Sequence, residues 1–196
     1  MNIILLNKIL EVFQKNIIPL TLEGVSCGNK IFGAAILKKE DFSLIIAGTN
    51  NEIENPLWHG EISALKNFYE IPSNKRVSTK DCIFLSTHEP CSLCLSAITW
   101  TGFDNFYYFF PYSDTNNKFN IPHDLKVLKE VFKINQGNYN KENSYWKSYS
   151  IIEKINLMND PEYTEINKKV KRINEIYHDL SNLYQKFKSN NNIPLN

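Results

Sequence analysis

Two short motifs constrain this chain more than any other feature: His59-Gly60-Glu61 and, about thirty positions later, Pro90-Cys91-Ser92-Leu93-Cys94. Each opens a segment with helical spacing. After the first, Ile62, Leu65, Phe68 and Tyr69 fall on one face and Pro72 stands just past the end; after the second, an apolar run reaches Trp100 and stops at Gly102. Helices that begin at both motifs put Cys91 and Cys94 one turn apart on the same side, and put His59 in the first turn of the other helix. A fold that uses both must set two helix starts against each other.

The segments between and around the motifs supply a sheet. Ile31 to Leu37 and Phe42 to Ala47 are rich in β-branched and aromatic residues and are separated by the polar turn Lys38-Lys39-Glu40-Asp41, which predicts a hairpin. Asp81 to Ser86 reads as a short apolar strand, and the aromatic run Asn105 to Phe110 as a buried one. Strand and helix alternate here, which predicts a layered α/β arrangement with a parallel portion. Upstream, Ile3, Leu6, Ile9, Leu10 and Phe13 form one amphipathic helix that Pro19 closes off. Beyond Pro111 the pattern weakens: Ser113 to Asn120 reads as polar turn material and Leu125 to Ile134 as a short helix or strand. Asp160-Pro161 then opens a long helix in which Ile166, Val170, Ile173, Tyr177, Leu180, Tyr184 and Phe187 recur at four- and three-residue steps. For this seam, docking on the chain's own core competes with pairing to a second copy. The expected division is residues 1–158 as one domain, 159–188 as a C-terminal amphipathic helix packed on it or on a partner subunit, and 189–196 as a disordered tail.

A chain of 196 residues with 42% hydrophobic and 13% aromatic content buries a core without disulfide staples. Twenty-two Lys and Arg against 21 Asp and Glu leave a formal charge of +1, so nothing pulls the whole molecule toward polyanions. RNA would need a local patch; Lys168, Lys169, Lys171 and Arg172 form a cluster, in a pattern that also marks the solvated face of an amphipathic helix. Asn2 to Leu10 lacks a basic n-region, a cleavage site and the ~20 apolar residues of a membrane span. Four cysteines are too few for a disulfide scaffold, and Cys91 and Cys94 have metal or redox spacing. The expectation is a soluble, cytoplasmic protein with no membrane partner.

One imidazole and two thiolates meet the need of a catalytic zinc for three protein ligands and one open position. His59, Cys91 and Cys94 are therefore the candidate metal ligands, with one zinc ion per chain as cofactor. The positive ends of two helices favour the thiolate forms, and zinc brings the pKa of a bound water toward neutrality. Glu61, two residues from the histidine, has no ligand spacing and is the candidate catalytic residue, a carboxylate that moves protons. Taken singly, His59 is a histidine at a helix start, Glu61 a first-turn carboxylate, and the cysteines a structural half-site or inert thiols. Cys27 and Cys82 show no knuckle spacing that would complete a four-cysteine site.

In these residues the chain resembles the cytidine deaminase superfamily, which carries H-x-E and P-C-x-x-C. The resemblance runs from about Ile31 to Asp114, with strand and helix order agreeing. It implies a three-layer α/β/α sandwich around a five-stranded mixed sheet, with the site at the strand ends. It also implies hydrolysis of an exocyclic amino group, Glu61 carrying protons from water to a ring nitrogen and to the departing ammonia. His59-Gly60-Glu61-Ile62-Ser63 is similar to fungal-type cytosine deaminases. Asn50, in Gly48-Thr49-Asn50, matches the asparagine that grips the base in cytosine, guanine and tRNA adenosine deaminases. Asp114, after Tyr112-Ser113, matches an acid of bacterial guanine deaminases that assists protonation. Both are candidate substrate-binding residues, and both also read as ordinary turn residues. The chain departs from the pattern at His88, where small residues are more usual, and in the roughly 80 residues that follow Asp114. Trp146 is either an aromatic wall for a planar base or a core tryptophan.

The implied function is zinc-dependent hydrolytic deamination of a free nucleobase or small nucleoside of cytosine or guanine type. A tRNA adenosine deaminase is the alternative, disfavoured by the balanced charge. A second alternative is a non-catalytic zinc-binding interaction module, which would have no need of Glu61. Members of the superfamily commonly assemble, so a homo-oligomer, a dimer, is expected.

Overall fold

The structure, a computed structural model, describes residues 2–157 and 163–196. Along the chain, α1 (Ile3–Val12) and α2 (Ile18–Ser26) precede the hairpin β1 (Gly33–Lys38) and β2 (Leu44–Thr49). Then come α3 (Gly60–Glu70), β3 (Cys82–His88), α4 (Ser92–Trp100) and β4 (Asn105–Phe110). The remainder is α5 (Tyr112–Asn117), α6 (His123–Phe132), β5 (Lys147–Ser150), α7 (Ile151–Asn156) and α8 (Tyr163–Phe187).

The five strands form one mixed sheet in the order β2-β1-β3-β4-β5, antiparallel through the first three and parallel through the last three. Alternation along each strand sorts side chains to two buried faces. Ala34, Ile36, Phe84 and Phe106 meet Ala64, Leu65 and Phe68 of α3 and Ile98 of α4. Ala35, Leu37, Ile83, Leu85 and Phe109 meet α1, α2, α7 and α8 on the other side. This is the expected three-layer α/β/α sandwich. Because β3 and β4 run parallel, their C-terminal ends lie together, and the chain leaves both at the edge where α3 and α4 begin.

The seam of α8 docks on the chain's own core: Ile166, Ile173, Tyr177, Leu180 and Tyr184 are buried against α1, α2 and the sheet. The expected start of that helix at Asp160-Pro161 lies outside the described residues. Three expectations are corrected. Pro19 does not close the first helix. The chain passes through a π-helical turn at Phe13–Ile17 and stays helical into α2, in whose first turn Pro19 falls. Ser113 to Asn120 is largely helical, as α5. The tail, expected to be disordered, is held in place: Asn191 Nδ2 donates to Gly28 O at 2.9 Å, Tyr184 donates its hydroxyl to Asn196 Oδ1 at 3.0 Å, and Ile193 is buried. Among the described residues no helix is long and apolar enough to cross a membrane.

Candidate functional site

His59 is the N-cap residue of α3, Cys91 is the N-cap residue of α4, and Cys94 sits one turn into α4. The two helix starts meet at the sheet edge as the motif spacing requires. His59 Nδ1 lies 3.4 Å from Cys91 Sγ and 3.7 Å from Cys94 Sγ, and the three donor atoms all fall within 4.8 Å of one another. Ligand bonds of zinc at tetrahedral angles place N and S donors about 3.5 Å apart and two S donors about 3.8 Å apart, so the donor set has the right size for that ion. Among the described residues no fourth His, Cys, Asp or Glu joins the group. A backbone contact makes the approach possible. A Cβ on Gly60 would sit 2.7 Å from Gly33 Cα, so only a glycine lets the first turn of α3 lie directly on β1.

As protein groups alone, these side chains share charge unevenly. The hydrogen bond from Cys94 and the adjacent His59 hold the Cys91 thiol well below its usual range, while burial and the Cys91 charge push Cys94 up. Burial alone would lower His59, but the Cys91 hydrogen bond and charge, then Glu52 and Glu61, raise it to about 9. Two sulfurs and an imidazole that compete for protons in this way are suited to a divalent cation that replaces those protons.

Glu61, in the first turn of α3, is buried and lies beside the donor set, its Oε2 3.2 Å from Cys94 Sγ. Ser86 Oγ is 2.6 Å from Glu61 Oε1 and 2.6 Å from His88 O. The Ser86 hydroxyl thus faces two acceptors and ties the Glu61 carboxylate to the end of β3. Burial, then the Cys91 charge, raises the Glu61 carboxyl above the usual carboxylate range.

Residues 8–110 match the family described as the cytidine and deoxycytidylate deaminase zinc-binding region. The chain belongs to this family. It is 36% identical over 93 residues to a guanine deaminase of Bacillus subtilis, a match covering 46% of this chain and 57% of that protein. It is 36% identical over 73 residues to a cytosine deaminase of Candida albicans, covering 36% and 46% respectively. The chain thus spans about half the length of these curated relatives. The X-ray structure of a guanine deaminase from Bacillus subtilis superposes with a TM-score of 0.52 at 26% identity, over 83% of this chain and 99% of that one.

In this member of the family a cavity of about 290 Å³ opens in front of His59 and Cys91. Phe32, Leu57, Ile121, Val127 and Ile193 line it on the apolar side, with Pro194 and Leu195 of the tail beside them. Asp124, in the first turn of α6, faces both this cavity and a small recess against His59, Glu61 and Cys91. Burial, then the negative charge of Cys91, raises its carboxyl well above the usual range.

The two substrate-binding candidates lie elsewhere. Asp114, in the first turn of α5, pairs with Lys118 at 2.7 Å and does not line the cavity. Asn50 is buried behind His59: its Oδ1 accepts from Gly60 N at 2.5 Å and its Nδ2 donates to Glu52 Oε2 at 2.5 Å. Its amide thus holds the turn that presents His59. Trp146 is a core residue, donating from Nε1 to Thr99 Oγ1 at 2.7 Å and packing on Phe106. Glu89, between the strand and the cysteine turn, accepts from Tyr139 at 2.9 Å and pairs with Lys141 at 3.1 Å, tying the segment after α6 to the site.

The sequence reading missed Asp124, Lys30 and Glu52. Asp124 looked like any first-turn carboxylate. Lys30 and Glu52 stand 22 positions apart in loops with no motif around them, yet they form a buried ion pair at 2.7 Å, and Glu52 Oε1 lies 3.7 Å from His59 Nε2. A carboxylate behind the distal nitrogen of a ligating histidine fixes its ring and tautomer.

Proposed function

We propose that the protein is a zinc-dependent hydrolytic deaminase of a free nucleobase or small nucleoside of cytosine or guanine type. The observation that carries this reading is Glu61, a buried carboxyl beside a three-donor set. A zinc module that only binds a partner has no use for such a carboxyl. Zinc held by His59, Cys91 and Cys94, one ion per chain, supplies Lewis-acid activation of a water molecule.

Glu61 would take a proton from a water molecule as the water oxygen bonds to the ring carbon bearing the amino group, and would pass that proton to the neighbouring ring nitrogen. A second proton moves through Glu61 to the amino group as the C–N bond breaks. The products are the oxo base and ammonia. Ser86 holds Glu61 in place through its hydroxyl. Phe32, Ile121, Val127 and Ile193 enclose the planar ring and exclude water, while Asp124 takes the ring-facing role assigned to Asp114 by resemblance. Asn50 acts through Gly60 and Glu52 by positioning His59.

Two observations favour a small substrate over tRNA. The chain's own residues Ile193–Leu195 wall the cavity. Within the basic cluster of α8, Lys169 donates to Asn7 at 2.7 Å, and Lys168 and Lys171 pair along the helix with Glu165 at 2.6 Å and Glu175 at 3.9 Å. Similarity to a bacterial guanine deaminase and a fungal cytosine deaminase supports both base types. For the dimer we propose the outer face of α4, which leaves Leu93 and Trp100 exposed. Four free thiols fit a reducing, cytoplasmic setting.

The test is ammonia release by the zinc-loaded protein from cytosine, guanine, their nucleosides, adenine and an anticodon stem-loop RNA. Release from a base or nucleoside is expected. Release from the RNA alone overturns the small-substrate reading, and release from none overturns the enzyme.

A further inference from the structure

Lys30 precedes β1 and Glu52 follows β2, and both line the cavity in front of the metal ligands. Their side chains are 6% and 3% exposed. Lys30 Nζ donates to Glu52 Oε1 at 2.7 Å; Glu52 Oε2 accepts from Asn50. Both carboxylate oxygens are therefore engaged. The ammonium is not: it has three N–H donors, and among the described residues Glu52 is its one hydrogen-bond partner. A buried cation left short of acceptors is costly; the cavity it faces has apolar walls at Phe32, Leu57, Ile121, Val127 and Ile193, and His123 and Asp124, which also line it, make no hydrogen bond to Lys30 among the described residues. The remaining donors have the occupant of the cavity to bond.

Three features define what that occupant presents. An ammonium only donates, so it meets an acceptor and is left unpaired by an amino group or a C–H edge. Glu52 already balances its charge, which suits a neutral acceptor better than a full anion. The Lys30–Glu52 pair shares an oxygen with the neighbourhood of His59, so the acceptor belongs to the same ring system whose amino group meets the metal ligands.

We propose that Lys30 is the specificity-determining residue of the pocket, donating to a carbonyl oxygen on the substrate ring and so selecting amino-oxo heterocycles over amino heterocycles that lack the oxo group. This rests on the deaminase reading of the same site. It excludes adenine-type rings, which have no carbonyl.

The test compares matched pairs on the zinc-loaded protein: guanine with 2-aminopurine, and cytosine with 4-aminopyrimidine. For whichever ring size is accepted, kcat/KM favours the oxo member by about 100-fold or more, since a site built to bond a substrate group rejects the analogue lacking it. Wild-type protein with no such preference overturns the proposal without any variant. In the double variant Lys30→Met with Glu52→Gln, which leaves no unpaired charge, the preference falls by at least ~10-fold; in Lys30→Arg, which keeps donors, it persists. Zinc content and melting temperature establish that the variants are folded and loaded, and an unchanged preference in a folded, loaded double variant overturns the proposal. If wild type releases ammonia from none of the four compounds, the deaminase reading has failed. Calorimetric binding of the same four then decides the role of Lys30 separately. Oxo-selective binding lost in the double variant supports it, and unselective or absent binding overturns it.

Discussion

The inner and outer halves of the pocket are built on different principles. The inner half, from residues 59–94, is two helix N-termini laid against a sheet edge: His59 and Cys91 are cap residues, Glu61 and Cys94 sit in the turns that follow, and Gly60 lies on the β1 backbone. Backbone geometry sets each side chain within a few residues of its motif. The outer half, from Ile121–Val127 and Ile193–Leu195, has no motif and reaches the pocket only through the packing of α6 and α8. Chemistry is thus carried by local structure and ring selection by tertiary structure, and substitutions in the two halves should act on different kinetic constants.

The largest effect belongs to the inner half. Glu61→Gln keeps the shape and hydrogen-bonding capacity but cannot carry a proton. Ammonia release should fall by ~10³-fold in kcat while zinc content, read by elemental analysis, stays at the wild-type value. Unchanged turnover would remove Glu61 from the chemistry. Across the boundary, Asp124→Asn should cost ~10²-fold in kcat/KM, because its carboxyl faces both halves. Asp114→Asn, which loses only an exposed pair with Lys118, should change kcat/KM by less than ~3-fold. The reverse order for the two aspartates would restore the role that resemblance assigns to Asp114.

The same division explains what the sequence made legible. The sheet, α3, α4 and the convergence of His59, Glu61, Cys91 and Cys94 follow from short-range signals: β4 is aromatic from Phe106 to Phe110, and the cap positions follow from where periodicity begins. Asp124 was not legible because a carboxylate in the first turn of an amphipathic helix is stabilised there whatever it faces. Lys30 and Glu52 were not, because nothing in two loop sequences records that they pair. Pro19 misled because proline usually ends or kinks a helix, and here the π-helical turn before it carries the chain on into α2. The tail's Asn-rich, charge-poor sequence resembles a disordered end, yet the bonds of Asn191 to Gly28 and of Tyr184 to Asn196, with the burial of Ile193, hold it against the domain.

A smaller effect tests the outer wall. Ending the chain after Asn190 removes Ile193–Leu195 from the cavity and the bond from Asn191 to Gly28. One apolar contact to a ring is worth roughly 1–3 kcal/mol. KM should rise by ~10-fold with kcat within ~3-fold of wild type. A fall in kcat with unchanged KM would place the tail in the chemistry and erase the distinction between the halves.

The smallest effect concerns His88, which underlies both halves. Its ring is enclosed by Phe32, Phe110, Phe119 and Tyr177; Nδ1 meets Thr87 Oγ1 at 2.9 Å, and Nε2 has no partner among the described residues. Burial holds its pKa well below 6.5, so the folded protein keeps the ring neutral where the unfolded chain would protonate it. Below pH 6.5 the unfolded state therefore binds the extra proton, and stability falls as pH drops; above pH 6.5 the residue contributes no pH dependence. The loss from this group should reach about 1.4 kcal/mol at pH 5.5. His88→Phe keeps an aromatic ring among the four others and has nothing to titrate. The difference in urea-unfolding free energy between variant and wild type should be constant above neutrality and shift in the variant's favour by that amount at pH 5.5. A flat difference across the range would mean that the ring is reached by water, and that the floor shared by the two halves is open.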